Sequence, residues 1–235
     1  MKFALIGHPV AGSLSPRLIA AAYDGRHSYD LLDFEQFEDA WQAFVRGYDG
    51  INVTAPFKQH AFAKVDVLAP RAQATGAVNL VVPCEKGYMG YNTDVDGVVA
   101  ALKGLPLSEA LVVGSGGAAR AAVHAAQLLG CRVTVTGRSL EKASALGCPA
   151  VSFAEAAALR PDVIIYTLPG RAPVPSGLPF SQAVVLEAEY RIPQLTAIPS
   201  RRYISGREWM LGQAVAGYRI FTGEEPDVEK MLKIL

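Results

Sequence analysis

Short apolar segments alternate with amphipathic segments along most of this chain, and this alternation is its most restrictive feature. Residues 3–6, 110–113 and 163–166 have the length and composition of buried strands. Helix signals follow such segments; Pro16 comes directly after Ser15, a pair that predicts an N-cap followed by the first helical position. The pattern therefore predicts an α/β fold in which helices cover mostly parallel sheets.

The middle of the chain carries a second set of signals that divide it in two. Lys86-Gly87 lies between two short apolar segments and predicts a hairpin, after which Asp94 is expected to begin a helix that runs to about residue 102. Leu105-Pro106 is typical of a hinge, and a new α/β series follows it. Two helices are expected after the second series, one over residues 206–215 and one from Pro226.

Composition excludes several classes of function. The chain has 235 residues, with 22 Lys plus Arg and 22 Asp plus Glu, so no global charge favours nucleic acid or an acidic membrane. No segment approaches the roughly 18 consecutive apolar residues of a membrane span. The cysteines are odd in number, and neither they nor the histidines have metal-ligand spacing, so no metal is predicted. We expect a cytoplasmic monomer or homodimer that binds a small molecule.

A glycine-rich segment lies between a predicted strand and a predicted helix. It reads Gly114-Ser115-Gly116-Gly117-Ala118-Ala119. In dinucleotide-binding domains such a loop lets the backbone approach a pyrophosphate, and the free N–H groups of the following helix stabilise the anion. Close packing of a strand against a helix also favours small residues. The position of the loop between strand and helix favours the cofactor interpretation.

The end of the next predicted strand distinguishes the two nicotinamide cofactors. An NAD-binding domain carries Asp or Glu about 20 residues beyond the glycine loop. This chain has Gly137-Arg138-Ser139 instead, and the permanently charged guanidinium of Arg138 suits a 2′-phosphate. The alternative is a solvent-exposed arginine near a helix start, although a cation there opposes the helix dipole unless an anion binds. The sequence predicts NADP over NAD.

Polar side chains concentrate in residues 12–16, 50–58 and 90–94, each near the end of a predicted strand. Loops at the carboxyl ends of strands in an open α/β sheet line the ligand crevice. Taken singly, these residues have local explanations, such as Asn92 in a turn and Asp94 at a helix start. Taken together, they suit a small polyhydroxylated carboxylate, with Lys58 and Asp94 available for proton transfer.

At this point the sequence resembles the shikimate dehydrogenase family. Three family patterns are met in full, N-V-T-x-P-x-K by residues 52–58, G-x-N-T-D by residues 90–94 and G-x-G-G-A by residues 114–118. Three others are approximated, G-x-P-V-x-H-S-x-S-P by residues 7–16, G-A-V-N-T by residues 76–80 and M-L-x-x-Q-[AG] by residues 210–214. The motifs keep the family's order over nearly the whole chain.

The resemblance implies three regions, a substrate-binding catalytic domain over residues 1–104, a Rossmann-type NADP domain over residues 105–205, and C-terminal helices over residues 206–235 that return to the first domain. It implies reversible NADPH-dependent reduction of 3-dehydroshikimate to shikimate, a step of aromatic amino acid biosynthesis, with Lys58 and Asp94 as the catalytic pair. It implies these substrate-binding residues: Ser13, Ser15, Asn52, Thr54, Asn79, Tyr190 and Gln213. It implies that NADP contacts the glycine loop from Gly114 to Ala118 together with Arg138, Ser139 and Thr167.

Several departures from the family patterns leave alternatives open. Gly12 replaces a histidine, Leu80 replaces a threonine, and the Asn of N-A-T is lost at residues 165–167. The pattern D-x-x-Y-x-P appears at residues 187–193 with Glu for Asp and one extra residue. One alternative is an enzyme for quinate or another cyclic hydroxy acid. Another is a ligand-binding homologue that uses the cofactor poorly, although the retained Lys58 and Asp94 argue against it.

Overall fold

The computed structural model describes residues 1–235, which form two compact units. The first unit comprises Met1–Thr93 together with Gln213–Leu235, and the second comprises Asp94–Gly212. The α/β class and the two-domain organisation expected from the sequence are therefore confirmed. The chain contains no helix that is both long enough and apolar enough to cross a bilayer.

A six-stranded sheet forms the centre of the first unit. Its strands are β1 (Lys2–Gly7), β2 (Ser28–Asp33), β3 (Gly50–Val53), β4 (Val67–Leu68), β5 (Leu80–Cys84) and β6 (Gly87–Tyr91), in the order β2-β1-β3-β5-β6-β4. The other strands pair in parallel, but β5 runs antiparallel to both of its neighbours. The carboxyl ends of β1, β3 and β6 and the amino end of β5 consequently lie at one edge, which we name the carboxyl edge.

Helices cover both faces of this sheet. They are α1 (Ser15–Ala22), α2 (Phe37–Gly47), α3 (Lys58–Lys64) and α4 (Pro70–Thr75). Alternate side chains of β1 explain why both faces need cover, because Ala4 and Ile6 join the apolar cluster with α2 while Phe3 points to the other face. The predicted N-cap at Ser15 is wrong. Leu14 is the capping residue and Ser15 is already helical, without a side-chain cap at this helix start.

The second unit is built on six parallel strands. They are β7 (Glu109–Val113), β8 (Arg132–Thr136), β9 (Ala150–Val151), β10 (Val163–Tyr166), β11 (Val184–Glu187) and β12 (Arg202–Ile204). Their order is β12-β11-β10-β7-β8-β9, so the chain starts in the centre, fills one side and then crosses to the other. This is the dinucleotide-binding order, and its switch point lies between β7 and β10.

The helices of the second unit are α5 (Asp94–Leu102), α6 (Gly117–Leu128), α7 (Leu140–Ser144) and α8 (Phe153–Ala156), with a 3-10 turn at Phe180–Gln182. Alternate residues of the central strands enter two apolar clusters, one packed with α5 and α6 and one with α8 and the 3-10 turn. Residues 188–201 connect β11 to β12 without a helix. The predicted hinge at Leu105 lies inside this unit, because α5 packs on α6.

Two helices complete the chain, α9 (Gly206–Thr222) and α10 (Val228–Leu232). The boundary between the units falls within α9, so residues from Gln213 onward return to the first unit. There the Phe221 ring stacks on Phe3 with centroids 4.4 Å apart. The predicted end of α9 near residue 215 is too early, because apolar contacts of this kind extend the helix to Thr222.

Candidate active site

Backbone hydrogen bonds draw the loops at the carboxyl edge together. The Thr54 N–H donates to the Ile6 carbonyl at 2.9 Å, and the Val53 N–H donates to the Asn79 carbonyl at 2.8 Å. The His8 N–H likewise donates to the Ala55 carbonyl at 3.1 Å. Segments that are far apart in the sequence therefore meet at this edge.

The three predicted amide residues of the first unit form one hydrogen-bonded cluster. The Asn52 side-chain nitrogen donates to the Asn79 carbonyl at 3.2 Å. The Asn79 side-chain nitrogen donates to Gln213 Oε1 at 3.2 Å and to Thr93 Oγ1 at 3.1 Å, while Asn79 Oδ1 accepts from the Thr93 N–H at 2.7 Å. Asn79 and Thr93 are buried, so the cluster has a fixed position. The structure thus brings together residues predicted from three separate motifs.

Ser13 and Ser15 form a second polar pair. The Ser13 hydroxyl donates to Ser15 Oγ at 3.2 Å, and the Ser15 N–H donates to Ser13 Oγ at 3.3 Å. The preceding Gly12 has φ of +78°, a left-handed conformation that glycine adopts without strain. This backbone conformation gives a physical reason for glycine at the position where the family pattern has histidine.

Lys58 and Asp94 each begin a helix. Lys58 is the first residue of α3 and its carbonyl accepts from the Val78 N–H at 3.0 Å, one residue before the buried Asn79. Asp94 is the first residue of α5, is buried, and directly follows Thr93 in the chain. A carboxylate at a helix N-terminus is stabilised by the helix dipole, whereas the cation of Lys58 is disfavoured there. A helix start alone does not explain Lys58.

In the second unit the glycine loop follows β7, at the switch point of the sheet. Gly114 has φ of +127°, and a Cβ there would collide with the Thr167 hydroxyl, so this position requires glycine. Thr167 follows β10 and donates its hydroxyl to the Val113 carbonyl at 2.8 Å. The predicted residues Gly114 and Thr167 are therefore in contact, and Thr167 also holds the end of β7.

The beginning of α6 fits the pyrophosphate of a dinucleotide. Gly116 is the capping residue, so no side chain satisfies the N–H groups of the first turn. A Cβ placed on Gly116 would meet no atom within 4 Å, which leaves open space at this end of the helix. A 12-residue helix with an uncapped N-terminus presents N–H groups and a positive dipole end to an anion. Ser115, Gly117 and Ala118 lie at the same end.

Arg138 follows β8, the strand beside β7. Val113 and Thr136 are in register, and the Gly114 N–H donates to the Thr136 carbonyl at 2.8 Å, so Arg138 lies two residues beyond a contact of the glycine loop. Its side chain is exposed. Ser139 has a local role, because its hydroxyl accepts from the Lys142 N–H at 3.2 Å and caps α7. Contact of Ser139 with a cofactor stays a prediction.

In the sequence Glu187 is only a departure from a family pattern, yet in the structure it is a fully buried carboxylate at the end of β11. It accepts from the Gln194 N–H at 2.7 Å, the Leu195 N–H at 3.2 Å and the Tyr203 hydroxyl at 2.8 Å. Burial and this carboxylate raise the pKa of Tyr166 to about 12. Through its hydrogen bonds to residues 194 and 195, Glu187 anchors the connection that contains Tyr190. The Tyr190 ring centroid lies 5.7 Å from the Arg191 guanidinium.

We expect Glu187→Ala to lower the free energy of unfolding by about 3 kcal/mol, because each buried donor left without an acceptor costs roughly 1–3 kcal/mol. Glu187→Gln retains one acceptor oxygen and should cost about half as much. Urea unfolding measures both. Glu35→Ala is the matched control, because Glu35 is exposed and such changes stay within about 0.5 kcal/mol. Equal unfolding midpoints for Glu187→Ala and Glu35→Ala would contradict this role.

Two tyrosines that no motif identified also contact polar residues of this site. Tyr29 and Tyr218 are buried and their hydroxyls contact Asn52 and Ser15, respectively. A tyrosine in an apolar strand or helix is usually core, so the sequence contains no signal that distinguishes these two.

Comparison with known proteins adds a second line of observation. Residues 5–81 match the shikimate dehydrogenase substrate binding domain. The chain is 34% identical over 253 residues to a shikimate dehydrogenase (NADP(+)) of Thermus thermophilus, an alignment that covers 98% of this chain and 96% of that relative. It is 35% identical over 268 residues to the shikimate dehydrogenase (NADP(+)) of Streptomyces avermitilis, with 97% and 92% covered.

Solved structures of shikimate dehydrogenases are similar to this chain as well. A shikimate 5-dehydrogenase of Thermus thermophilus, in complex with NADP(H) and shikimate, superposes with a TM-score of 0.87 at 32% identity, covering 100% of this chain and 98% of that one. The shikimate dehydrogenase of Thermotoga maritima has a TM-score of 0.85 at 29% identity, with 100% and 99% covered. The expected family is confirmed by similarity over nearly the full length: the chain belongs to the shikimate dehydrogenase family.

Proposed function

We propose that this protein is an NADP-dependent shikimate dehydrogenase that interconverts 3-dehydroshikimate and shikimate. The observation that carries the proposal is the single cluster formed by Asn52, Asn79 and Gln213 at the carboxyl edge. Relatives named shikimate dehydrogenase (NADP(+)) cover the chain almost completely, and a solved relative was crystallised with both NADP(H) and shikimate.

Most of the proposed substrate-binding residues lie in the first unit. Ser13 and Ser15 bind the carboxylate through their hydroxyls, because a carboxylate accepts such bonds strongly. The Ser13 proton, which is donated to Ser15 Oγ in the structure, turns to the carboxylate when substrate binds. The amide cluster and Thr54 hold the ring hydroxyls, since amides both donate and accept. Tyr190 is proposed as a further substrate contact on the connection that Glu187 anchors.

The second unit binds the cofactor. The glycine loop and the first turn of α6 hold the pyrophosphate, Thr167 lies at the switch point, and Arg138 binds the 2′-phosphate. Ser139 is proposed as a neighbour of that phosphate. When bound, NADPH supplies the hydride that reduces the ring ketone.

Lys58 and Asp94 are proposed to carry out proton transfer to the ketone oxygen. Reduction of a ketone places negative charge on its oxygen, and a positioned ammonium stabilises that charge while donating a proton. Lys58 is proposed as this group. Asp94 is proposed to orient the ammonium and to accept a hydrogen bond from a ring hydroxyl. In the reverse direction Lys58 removes the proton from the hydroxyl group being oxidised.

A direct assay tests the proposal. Purified protein with shikimate and NADP+ is expected to form NADPH, detected by its absorbance, and NAD+ should be a poor substitute. Quinate serves as the comparison substrate for the alternative specificity. No NADPH formation with shikimate would contradict the proposed function. A cytoplasmic location and a monomeric or homodimeric state stay predictions.

A further inference from the structure

The hydroxyl of Tyr29 contacts Asn52, a residue of the candidate substrate site. Tyr29 is buried in β2, and its hydroxyl donates to Asn52 Oδ1 at 2.7 Å. The phenol therefore donates to a residue that is proposed to hold a ring hydroxyl.

Backbone groups fix the direction of the amides in this cluster. Because the Asn79 carbonyl can only accept, the Asn52 nitrogen is the atom that donates to it, and Asn52 Oδ1 is left to accept from Tyr29. Asn79 in turn uses its side-chain nitrogen for Gln213 Oε1 and its oxygen for the Thr93 N–H. The Tyr29 hydroxyl is therefore the donor to the Asn52 oxygen, while the Asn79 carbonyl accepts from the Asn52 nitrogen.

A second buried tyrosine, Tyr218, contacts Ser15. The Tyr218 hydroxyl donates to the Ser15 carbonyl at 3.1 Å. Tyr23 lies close by, with its ring centroid 6.4 Å from that of Tyr218. Its hydroxyl bonds to Thr222 Oγ1 at 2.8 Å and to the Glu224 carbonyl at 3.1 Å, neither of which is a proposed site residue. The three tyrosines therefore differ in what their hydroxyls hold.

We propose that Tyr29 is a positioning residue for substrate binding, whose hydroxyl holds the Asn52 side chain through Oδ1. A phenylalanine would fill the same volume in the core, so packing alone does not require the oxygen. The partner of that oxygen is Asn52, a residue of the proposed substrate site. This inference rests on the proposed function and extends its set of substrate-determining residues.

Tyr29→Phe tests the inference by removing one oxygen atom. We expect the KM for shikimate to rise about tenfold, as loss of a buried hydrogen bond in a site predicts, with kcat within about twofold and an unchanged KM for NADP+. A purely structural role would alter stability without this split between KM and kcat. Thermal unfolding of each variant confirms that it is folded at the assay temperature.

Tyr23→Phe is the matched control and should leave both KM values unchanged. A double-mutant cycle adds specificity, because Tyr29→Phe placed on Asn52→Ala should raise the KM for shikimate little further if Tyr29 acts through Asn52. If Tyr29→Phe oxidises shikimate with the wild-type KM, this inference is wrong and the proposed function is unaffected. The same rise in KM for Tyr23→Phe also overturns it. No turnover by the wild-type protein overturns the proposed function and this inference together.

Discussion

Lys58→Ala is expected to lower kcat for shikimate oxidation by about 10²- to 10⁴-fold, the usual effect of removing a general acid–base group. The reason is chemical, because no other proposed residue of the first unit can donate a proton to the ketone oxygen at neutral pH. The KM for shikimate should change far less, since the serine pair and the amide cluster remain. Steady-state kinetics with NADP+ at saturation measure both parameters.

Lys64→Ala provides the control for this experiment. Lys64 ends the same helix, is exposed, and forms an ion pair with Glu38 at 3.2 Å. Its removal takes the same charge from α3 and should leave kcat unchanged, because exposed ion pairs contribute only about 0–1 kcal/mol. If Lys58→Ala retained kcat within threefold of wild type, the proton-transfer role would be wrong.

Arg138→Ala is expected to weaken NADP+ binding by roughly 10- to 100-fold, because hydrogen bonds to charged groups contribute about 1.5–3 kcal/mol. Binding of NAD+ should stay within twofold, since NAD+ lacks the 2′-phosphate. The ratio of the two dissociation constants, measured by titration, should therefore fall toward one.

Arg160→Ala is the corresponding control. Arg160 is an exposed arginine of the same unit, but it precedes β10 and its guanidinium donates to the Ala158 and Leu159 carbonyls. Its removal should leave both dissociation constants unchanged. A preference for NADP+ that survives Arg138→Ala would show that the 2′-phosphate is recognised elsewhere.

Elements with a clear apolar pattern or turn signal could be located from the sequence, whereas two-residue strands and the end of the longest helix could not. The hairpin around Lys86, the start of α5 at Asp94 and the strand β10 lie where the apolar patterns indicated. The two-residue strands β4 and β9 carry too few residues to show any period. The length of α9 was underestimated because Gly212 and Gly217 weaken the local helix signal, whereas packing on the first sheet determines its end.

Motif residues of the site could be predicted, but their supporting contacts could not. Asn52, Asn79 and Gln213 were expected together only because each lies in a recognisable segment, and the structure joins them by hydrogen bonds. Tyr29 lies in no such segment, and Glu187 lies in one that this chain matches only with departures. Their importance depends on which atoms fold beside them, and sequence spacing contains no information about contacts between distant strands.

The connection from β11 to β12 has a consequence for how this chain tolerates change in length. The Glu187 carboxylate accepts hydrogen bonds from the backbone at residues 194 and 195. Residues 188–193 form no helix or strand, so no regular hydrogen-bond pattern has to be preserved among them. Closing a somewhat longer or shorter loop changes the chain entropy only slightly. Natural variants should therefore gain or lose residues here more readily than at the glycine loop, provided that position 187 keeps its carboxylate.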